Sequence, residues 1–374
     1  MLPANRVYGM LSEQYSRLLP DLAEPSRRWL AKLVCAVAEA GACTQPALAT
    51  ALHRLDLTSA TNDSTQVAIR RALSDPRLTV ADAYAPLVRE TLHDWPSDRL
   101  LLIIDATTLK ARLVRLQASV AYHGRSLPVS WACLPGQTPL APDAWPDALT
   151  RVLDDAQAVL PPDRPVLVLL DRGFTSPAAW DAVRARGWHP VLRVQRTVRV
   201  RTAGGDQEVG GLLGNDPGLV TVVGQVFKKG GWREATVTAL RRDGQPEQWL
   251  LASDLPPGEA RALEYAVRMH IEESFRDEKG QGWQWEQSRI RDLDRAERLL
   301  LVLHLASLWC LSCGAWAVAT GRARQWVRLS RPEWSLFRIG WHWLRYALQH
   351  PDLVPLHHRL LALPMWRTPL LHYR

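Results

Sequence analysis

The sequence predicts an α/β protein with a mixed sheet flanked by helices, a helical N-terminal domain and a β-rich insertion. Two apolar runs that each lead into an aspartate, LLIID at 101–105 and VLVLL before Asp171, indicate buried strands of the sheet. The first part of the chain has helical spacing without strand-like alternation, whereas a later stretch alternates between Gly-rich turn signals. The expected units are a helical domain at 1–95, a core at 96–194 and 249–320, the β-rich insertion at 195–248, and a helical segment at 321–374.

The composition fits a well-packed protein with an anionic partner. Of the 374 residues, 47% are hydrophobic, and the net charge is +8. The five cysteines form no disulfide framework; Cys310 and Cys313 have metal-like spacing but lie in an apolar helical run. A reducing cytoplasm is therefore expected. No signal pattern opens the chain, and polar residues break the apolar run at 299–319, which favours a buried helix over a membrane span.

The N-terminal domain is expected to contain three short helices, at 26–39, 46–53 and 64–73. Arg70 and Arg71 end the last of them, and three short helices with exposed cations suit a small DNA-binding head. A plain helical cap on the next domain explains the same pattern equally well. Both interpretations stay open on the sequence.

The core is expected to begin with an antiparallel meander and to continue as alternating helices and strands. Strand 101–105 would deliver Asp105 at its C-terminal end, and a second aspartate, Asp171, directly follows strand 166–170. Either carboxylate alone can be structural, for example as a helix cap, but two at strand ends favour a metal site. The other elements expected here are a hairpin of strands 117–122 and 126–134, helices 143–160 and 176–186, and strand 190–194.

The insertion is expected to be a set of short strands with a basic hairpin tip. Lys228 and Lys229 lie close to Trp232 at that tip, which is placed to contact DNA. The expected strands are 196–201, 219–227 and 234–241, followed by a return to the core at 249–255. Further helices are expected at 293–320, 341–349 and 356–363.

A helix predicted at 259–279 carries four chemically distinct side chains. Pro256 and Pro257 precede it and Gly280 follows it, as is usual for helix ends. At 3.6 residues per turn its polar side chains would share one face: Tyr265, Arg268, Glu272 and Lys279. The stripe is either a solvated ion pair on a surface helix or a metal site beside a bound phosphate chain.

These motifs resemble those of the DDE transposases of the YREK group, the insertion-sequence-four type, over residues 99–310. Tyr265, Arg268, Glu272 and Lys279 match the signature Y(2)R(3)E(6)K. Asp105 in Ile-Asp-Ala-Thr matches the first catalytic aspartate, and the second, in Asp-Arg-Gly-Phe, matches at Asp171. The resemblance implies an RNase H-like fold: a mixed five-stranded sheet with helices on both sides, the first aspartate on the first strand and the second just after the fourth.

The resemblance also implies an activity. It is cut-and-paste transposition of an insertion sequence through a hairpin intermediate, by metal-dependent phosphodiester hydrolysis and strand transfer. Asp105, Asp171 and Glu272 would be the catalytic ligands of two Mg²⁺ ions, which Mn²⁺ can replace. Tyr265, Arg268 and Lys279 would grip the terminal phosphate and an unstacked base. Further DNA contacts are expected at Arg70, Arg71, Lys228, Lys229 and Trp232.

The partners implied are double-stranded DNA, as transposon ends and target, and a second protomer in the synaptic complex. Neither a membrane nor a small-molecule substrate is expected, and the protein would work in the bacterial cytoplasm on nucleoid DNA. Two alternatives remain: a catalytically inactive DNA-binding relic or regulator of transposition, and an RNase H-like nuclease that cuts without joining. Intact acidic residues argue against the first, and the companions of Glu272 argue against the second.

Overall fold

A computed structural model describes residues 3–93, 95, 97–136, 141, 143–244, 247–328, 333–350 and 360–363. Its N-terminal part, residues 3–93, is helical and is called the helical head below. The three helices expected there are confirmed as α2, α3 and α4; α1 and α5 were not predicted. The head consists of α1 Pro3–Leu18, α2 Glu24–Ala40, α3 Gln45–Arg54, α4 Asn62–Ala72 and α5 Ala85–His93.

Local chemistry explains where the head helices begin and end. The α2 helix carries a proline in its first turn and ends at Gly41, whose φ of 59° lets its N–H return to the carbonyl of Val37. At the start of α4, the Thr61 hydroxyl accepts a hydrogen bond from the Ser64 N–H. Apolar faces of the helices then pack into one continuous core with the sheet.

Ten strands among the described residues form one mixed sheet, in the order β3-β2-β1-β4-β5-β10-β9-β8-β6-β7. The first five make the RNase H-like core that was predicted: β1 pairs antiparallel with β2 and parallel with β4, and β4 pairs parallel with β5. The predicted hairpin is confirmed as the β2–β3 pair. These five strands are β1 Leu100–Leu109, β2 Leu113–Tyr122, β3 Arg125–Pro135, β4 Val166–Leu170 and β5 His189–Arg193.

The β-rich insertion does not form a separate sheet. Its strands join the core sheet through β10, which pairs with β5 on one side and with β9 on the other. The added strands are β6 Arg199–Thr202, β7 Gly205–Glu208, β8 Gly218–Val226, β9 Arg233–Arg241 and β10 Trp249–Ser253.

The register of the central strands puts three polar residues level with one another. Ile104 of β1 lies beside Leu170 of β4, which lies beside Leu192 of β5. The residues that follow these three in the chain are Asp105 after Ile104, Asp171 after Leu170 and Arg193 after Leu192. The prediction that β1 ends at Asp105 is wrong: the strand continues to Leu109, because residues 105–109 pair with β2. What ends at Ile104 is only the parallel pairing with β4.

Helices cover both faces of the sheet. On one face, α10 is almost wholly buried in the main core. It is long and apolar enough to cross a membrane, but 94% of its apolar window is buried, so it is a core helix as predicted. The remaining helices are α6 Ala144–Val159, α7 Pro177–Arg184, α8 Glu259–Ala266, α9 Met269–Arg276, α10 Leu293–Ala319 and α11 Leu336–Gln349.

The single helix predicted at 259–279 is wrong, because the chain forms α8, a break, α9 and then a π-helical turn at Asp277–Gln281. At the break, the N–H groups of Arg268 and Ile271 bond three residues back, to Tyr265 and Arg268, as in a 3₁₀ turn. The expected common face of four side chains is therefore not present. The helix predicted at 356–363 is also not found: residues 360–363 are not helical, and 356–359 lie outside the described residues.

Candidate active site

The two predicted strand-end aspartates lie on neighbouring strands at the same level of the sheet. Each is held by its own backbone: Asp105 Oδ1 accepts from the Ala106 N–H at 2.8 Å, and Asp171 Oδ1 accepts from the Arg172 N–H at 2.6 Å. Adjacent strands are about 4.8 Å apart, so this register places the two carboxylates close together. Both side chains are partly buried.

Arg268 links Asp105 to Glu272. Its Nη1 donates to Asp105 Oδ2 at 2.8 Å and its Nη2 to Glu272 Oε1 at 2.7 Å. Because both bonds come from one planar guanidinium, the two carboxylate oxygens lie within roughly 8 Å of each other. The Arg268 side chain is only 9% exposed, while that of Glu272 is 37% exposed.

The electrostatics show that the acidic groups interact. Burial raises the pKa of Asp105; Arg268 opposes that rise, and the negative charges of Asp171 and Glu272 add to it. Burial alone would lower the pKa of Arg268, but Tyr265, Asp105, Asp171 and Glu272 together raise it. The guanidinium is thus the positive centre of an acidic site.

The donor chemistry suits a hard divalent cation, since the three candidate ligands, on three different elements, are all carboxylates. The arrangement is not a finished ligand cage: among the described residues, no three Asp, Glu, His or Cys side chains are close enough to hold one metal ion. Arg268 takes one oxygen each of Asp105 and Glu272 and holds these carboxylates in place. The carboxylates are therefore the type of ligand that a divalent cation prefers, and Arg268 occupies two of their oxygens.

Tyr265 is buried beside this site and does not lie on its surface. It is 3% exposed, and its ring packs edge-on against Trp249 with centroids 5.6 Å apart. Its hydroxyl is buried without a hydrogen-bond partner among the described residues. Burial raises its pKa, and Asp171 and Asp105 are close enough to contribute to that rise. For Tyr265 to contact DNA as predicted, a part of the DNA would have to lie beside the carboxylates, within reach of the buried phenol.

Lys279 lies in the π-helical turn, away from the Asp105–Arg268–Glu272 network. It is half-buried, which lowers its pKa, and its charged neighbours are Glu286, Arg115 and Glu278. Just beneath it, Arg115 of β2 and Glu278 form a fully buried ion pair at 2.6 Å. That pair was not predicted, because it joins residues more than 160 positions apart without any local pattern.

The predicted DNA contacts on the insertion mostly have partners within the chain. Lys228 Nζ lies 3.1 Å from Asp206 Oδ2, and the guanidinium of Arg201 lies over the Trp232 ring at 4.2 Å. Lys229 is exposed. On the helical head, Arg70 and Arg71 are both exposed on α4, as a DNA contact requires.

Sequence reasoning missed Arg193, which ends β5 level with Asp171. Its Nη2 donates to Glu247 Oε2 at 2.8 Å, and Arg172 donates to the same oxygen at 3.0 Å. Glu247 thus ties the turn that carries Asp171 to the end of β5. The signal that could have found Arg193 is its position as a cation near the end of the third buried strand.

Comparison with known proteins decides the family. The sequence profile described as "Transposase DDE domain" matches residues 96–309, more than half of the chain. The chain belongs to the DDE transposase family. The predicted resemblance to DDE transposases is thereby confirmed, and DNA transposition is the general function of this chain.

The other comparisons add little. A search of curated proteins finds no match. Among solved structures, the chain is similar to the piggyBac transposase in a cryo-EM structure of its synaptic complex with hairpin DNA. The identity is 10% and the TM-score 0.42, over 92% of this chain and 77% of that one.

Proposed function

We propose that this DDE transposase belongs to the YREK group and moves an insertion sequence by cut-and-paste transposition. The observation that carries the proposal is the arrangement around Arg268. Asp105 and Glu272 each bond to its guanidinium, and Asp171 is close enough to Asp105 to raise its pKa. The family match supports the reaction class, and the Y(2)R(3)E(6)K spacing supports the group.

Asp105, Asp171 and Glu272 would hold two Mg²⁺ ions, which Mn²⁺ can replace. When bound, such ions activate a water or hydroxyl and stabilise the leaving oxygen of a phosphodiester. Arg268 prepares this site, because its positive charge opposes the protonation that burial favours at Asp105. It also fixes the orientation of both carboxylates through its two bonds.

The reaction would begin with hydrolysis of one strand at the transposon end. The freed 3′ hydroxyl would then attack the opposite strand to give a hairpin and, after the hairpin opens, would attack target DNA. Tyr265, Arg268 and Lys279 would hold the terminal phosphate and an unstacked base during these steps. Two protomers would pair the two transposon ends in a synaptic complex.

The test compares two adjacent glutamates of α9. Glu272→Gln removes one carboxylate from the site but keeps the side-chain volume, whereas Glu273→Gln is the matched control. Glu273 pairs with Arg276 at 2.5 Å and makes no contact with Arg268 among the described residues. The assay is cleavage of a labelled transposon end in Mg²⁺, with nick, hairpin and double-strand break resolved on a denaturing gel.

Glu272→Gln is expected to abolish the first nick and every later step while DNA binding remains, because one of three acidic ligands is lost. Glu273→Gln is expected to cleave like the wild type. Nicking by Glu272→Gln at the wild-type rate would defeat the assignment. Equal loss in both variants would mean that the helix, and not the individual carboxylate, matters.

A further inference from the structure

A basic groove lies between the helical head and the sheet. Its volume is about 1110 Å³, and it is lined by the start of α3, the end of α4, the β1–β2 turn and the segment 286–295 that leads into α10. Only two carboxylates, Glu286 and Asp292, line it. The cationic side chains that line it are Arg70, Lys110, Arg112, Arg289, Arg291 and Arg295.

Most of these cations have no ion-pair partner among the described residues. Within the described ranges, Lys110, Arg289, Arg291 and Arg295 form no ion pair and donate no side-chain hydrogen bond. Lys228 of the insertion is different, because it is paired with an aspartate. Unpaired cations that line a concave surface concentrate positive potential there and attract an anionic partner.

The backbone of the groove supports a role for its long cationic side chains. Lys110 has a φ of 52° and Arg289 a φ of 56°, both in the left-handed region. Residues other than glycine, asparagine and aspartate seldom adopt this conformation, and such strain is concentrated at functional sites. Glycine would relieve the strain at either position but would leave the groove without that charge.

Arg112 organises the groove. Its two terminal nitrogens donate to main-chain carbonyls of the facing segment, to Glu286 at 2.9 Å and to Ile290 at 3.4 Å. These bonds attach the β1–β2 turn to the segment that carries Arg289 and Arg291. The cations on the two sides are thereby held in a fixed relation to each other.

The position of the groove relative to the carboxylates points to a single occupant. Lys110 directly follows the end of β1, five residues after Asp105, which is roughly 16 Å at about 3.3 Å per residue. Phosphates of one DNA strand repeat about every 3.4 Å along the axis, so this length spans about five base pairs. A duplex with its cut bond at Asp105 can therefore place its backbone in the groove.

We propose that the groove holds the phosphate backbone of the transposon-end duplex about five base pairs from the bond that is cut. This inference rests on the proposed function, because the distance is counted from Asp105. The groove contacts phosphates and not base edges, so it positions the duplex without reading its sequence.

The experiment removes two cations from the exposed side of the groove, as Arg289→Gln with Arg291→Gln in the full chain. The control, Arg28→Gln with Arg242→Gln, removes the same charge from exposed residues that do not line the groove. The probe is a fluorescein-labelled duplex of about 30 base pairs, copied from the terminal inverted repeat of the element. Its anisotropy is followed over a range of salt concentrations without divalent metal.

The groove variant is expected to bind roughly tenfold or more weakly near 0.1 M salt, with a salt slope smaller by about two. The control variant should lose much less affinity and keep the wild-type slope. A duplex cut back to about three base pairs on the groove side should bind wild type and groove variant alike, because it cannot reach the cations. Thermal unfolding of both variants checks that the fold is intact.

If the groove variant binds with the affinity and salt slope of the wild type, the inference is overturned. In that case the proposed function still stands, provided that the wild-type chain nicks the transposon end. If the groove variant loses affinity and slope but the wild type never nicks the end, the groove is supported and the proposed function fails. An equal loss in both double variants would show a diffuse charge effect and would also overturn the inference.

Discussion

Replacing Arg115 is expected to destabilise the chain more than any surface substitution. Its side chain is completely buried on β2, between the rings of Phe275 and Trp285 at 4.7 and 4.8 Å from its guanidinium carbon. Its Nη1 lies 2.6 Å from Glu278 Oε2, and Glu278 is itself 2% exposed. This one side chain therefore joins β2 to the π-helical turn and to the segment that follows it.

The magnitude follows from what Arg115→Met leaves behind. Among the described residues, the buried Glu278 carboxylate would keep only the His304 ring, 3.3 Å away, as an ion-pair partner. Removing one member of a buried ion pair typically costs about 3–5 kcal/mol, because the other charge is left uncompensated. That corresponds to an unfolding constant raised roughly 150- to 5000-fold. Loss of the two ring contacts adds to this cost, although methionine keeps part of the apolar packing.

A second variant separates the ion pair from simple packing. Arg115→Met combined with Glu278→Met replaces both charges by apolar side chains, which for buried pairs is often close to neutral. The double variant is therefore expected to be more stable than Arg115→Met alone. The free energy of unfolding is measured by urea titration of tryptophan fluorescence, with exposed Arg28→Met as the control. A loss below about 1 kcal/mol for Arg115→Met, or a double variant less stable than the single one, would refute this reasoning.

Three further outcomes are expected. Burial would raise the pKa of Glu278, but Arg115 and His304 lower it from 4.5 to about 2. An acid whose pKa is lower in the folded than in the unfolded chain stabilises the fold at pH values above the unfolded pKa. The urea concentration at the unfolding midpoint should therefore decrease as the pH is lowered from about 4.5 to about 2, and Glu278→Gln should make this decrease smaller. Lys279→Ala should slow hairpin formation more than the first nick, and Lys279→Arg should recover part of it because the charge is kept; equal slowing of both steps on a denaturing gel would contradict this. Tyr265→Phe should leave the free energy of unfolding within about 1 kcal/mol of wild type or raise it, since the lost hydroxyl has no partner among the described residues. A clear drop in the urea midpoint would mean that the hydroxyl makes a stabilising contact.

Sequence periodicity predicted the central sheet well because apolar runs mark β1 and β4 and a turn signal marks the hairpin. The runs before Asp105 and Asp171 became β1 and β4, and the hairpin became β2 and β3. The end of β1 was missed for a physical reason. Residues 105–109 are less apolar than the run before them, yet they pair with β2 over their whole length. Pairing with a neighbouring strand is a tertiary interaction that an apolar run does not reveal.

Two cations, Arg115 and Arg193, were harder to predict than the carboxylates of the site. An aspartate after an apolar strand is a local signal, as is a cation such as Arg193 near the end of one, whereas Arg115 stands out only once β2 is placed in the sheet. The basic groove was the hardest to predict, because its cations come from the head, a hairpin turn and a segment that runs into the first turn of α10. Only the fold brings together charges that are scattered along the chain.

The four residues of the predicted stripe lie on two helices and a π-helical turn, and not on one straight helix. On a straight helix, Tyr265, Arg268, Glu272 and Lys279 would point the same way. In the structure each has a different local setting: Tyr265 is on the buried face of α8, and Arg268 lies at the break between α8 and α9. Glu272 is one helical turn beyond Arg268 on α9, which is why a single guanidinium can reach both it and Asp105. The three-residue step from Tyr265 to Arg268 matches the 3₁₀-type bond at the break, and the longer step to Lys279 crosses into the π-helical turn. In this chain the Y(2)R(3)E(6)K spacing therefore falls on two helices and a π-helical turn, and Arg268, at the break between the helices, bonds to both Asp105 and Glu272.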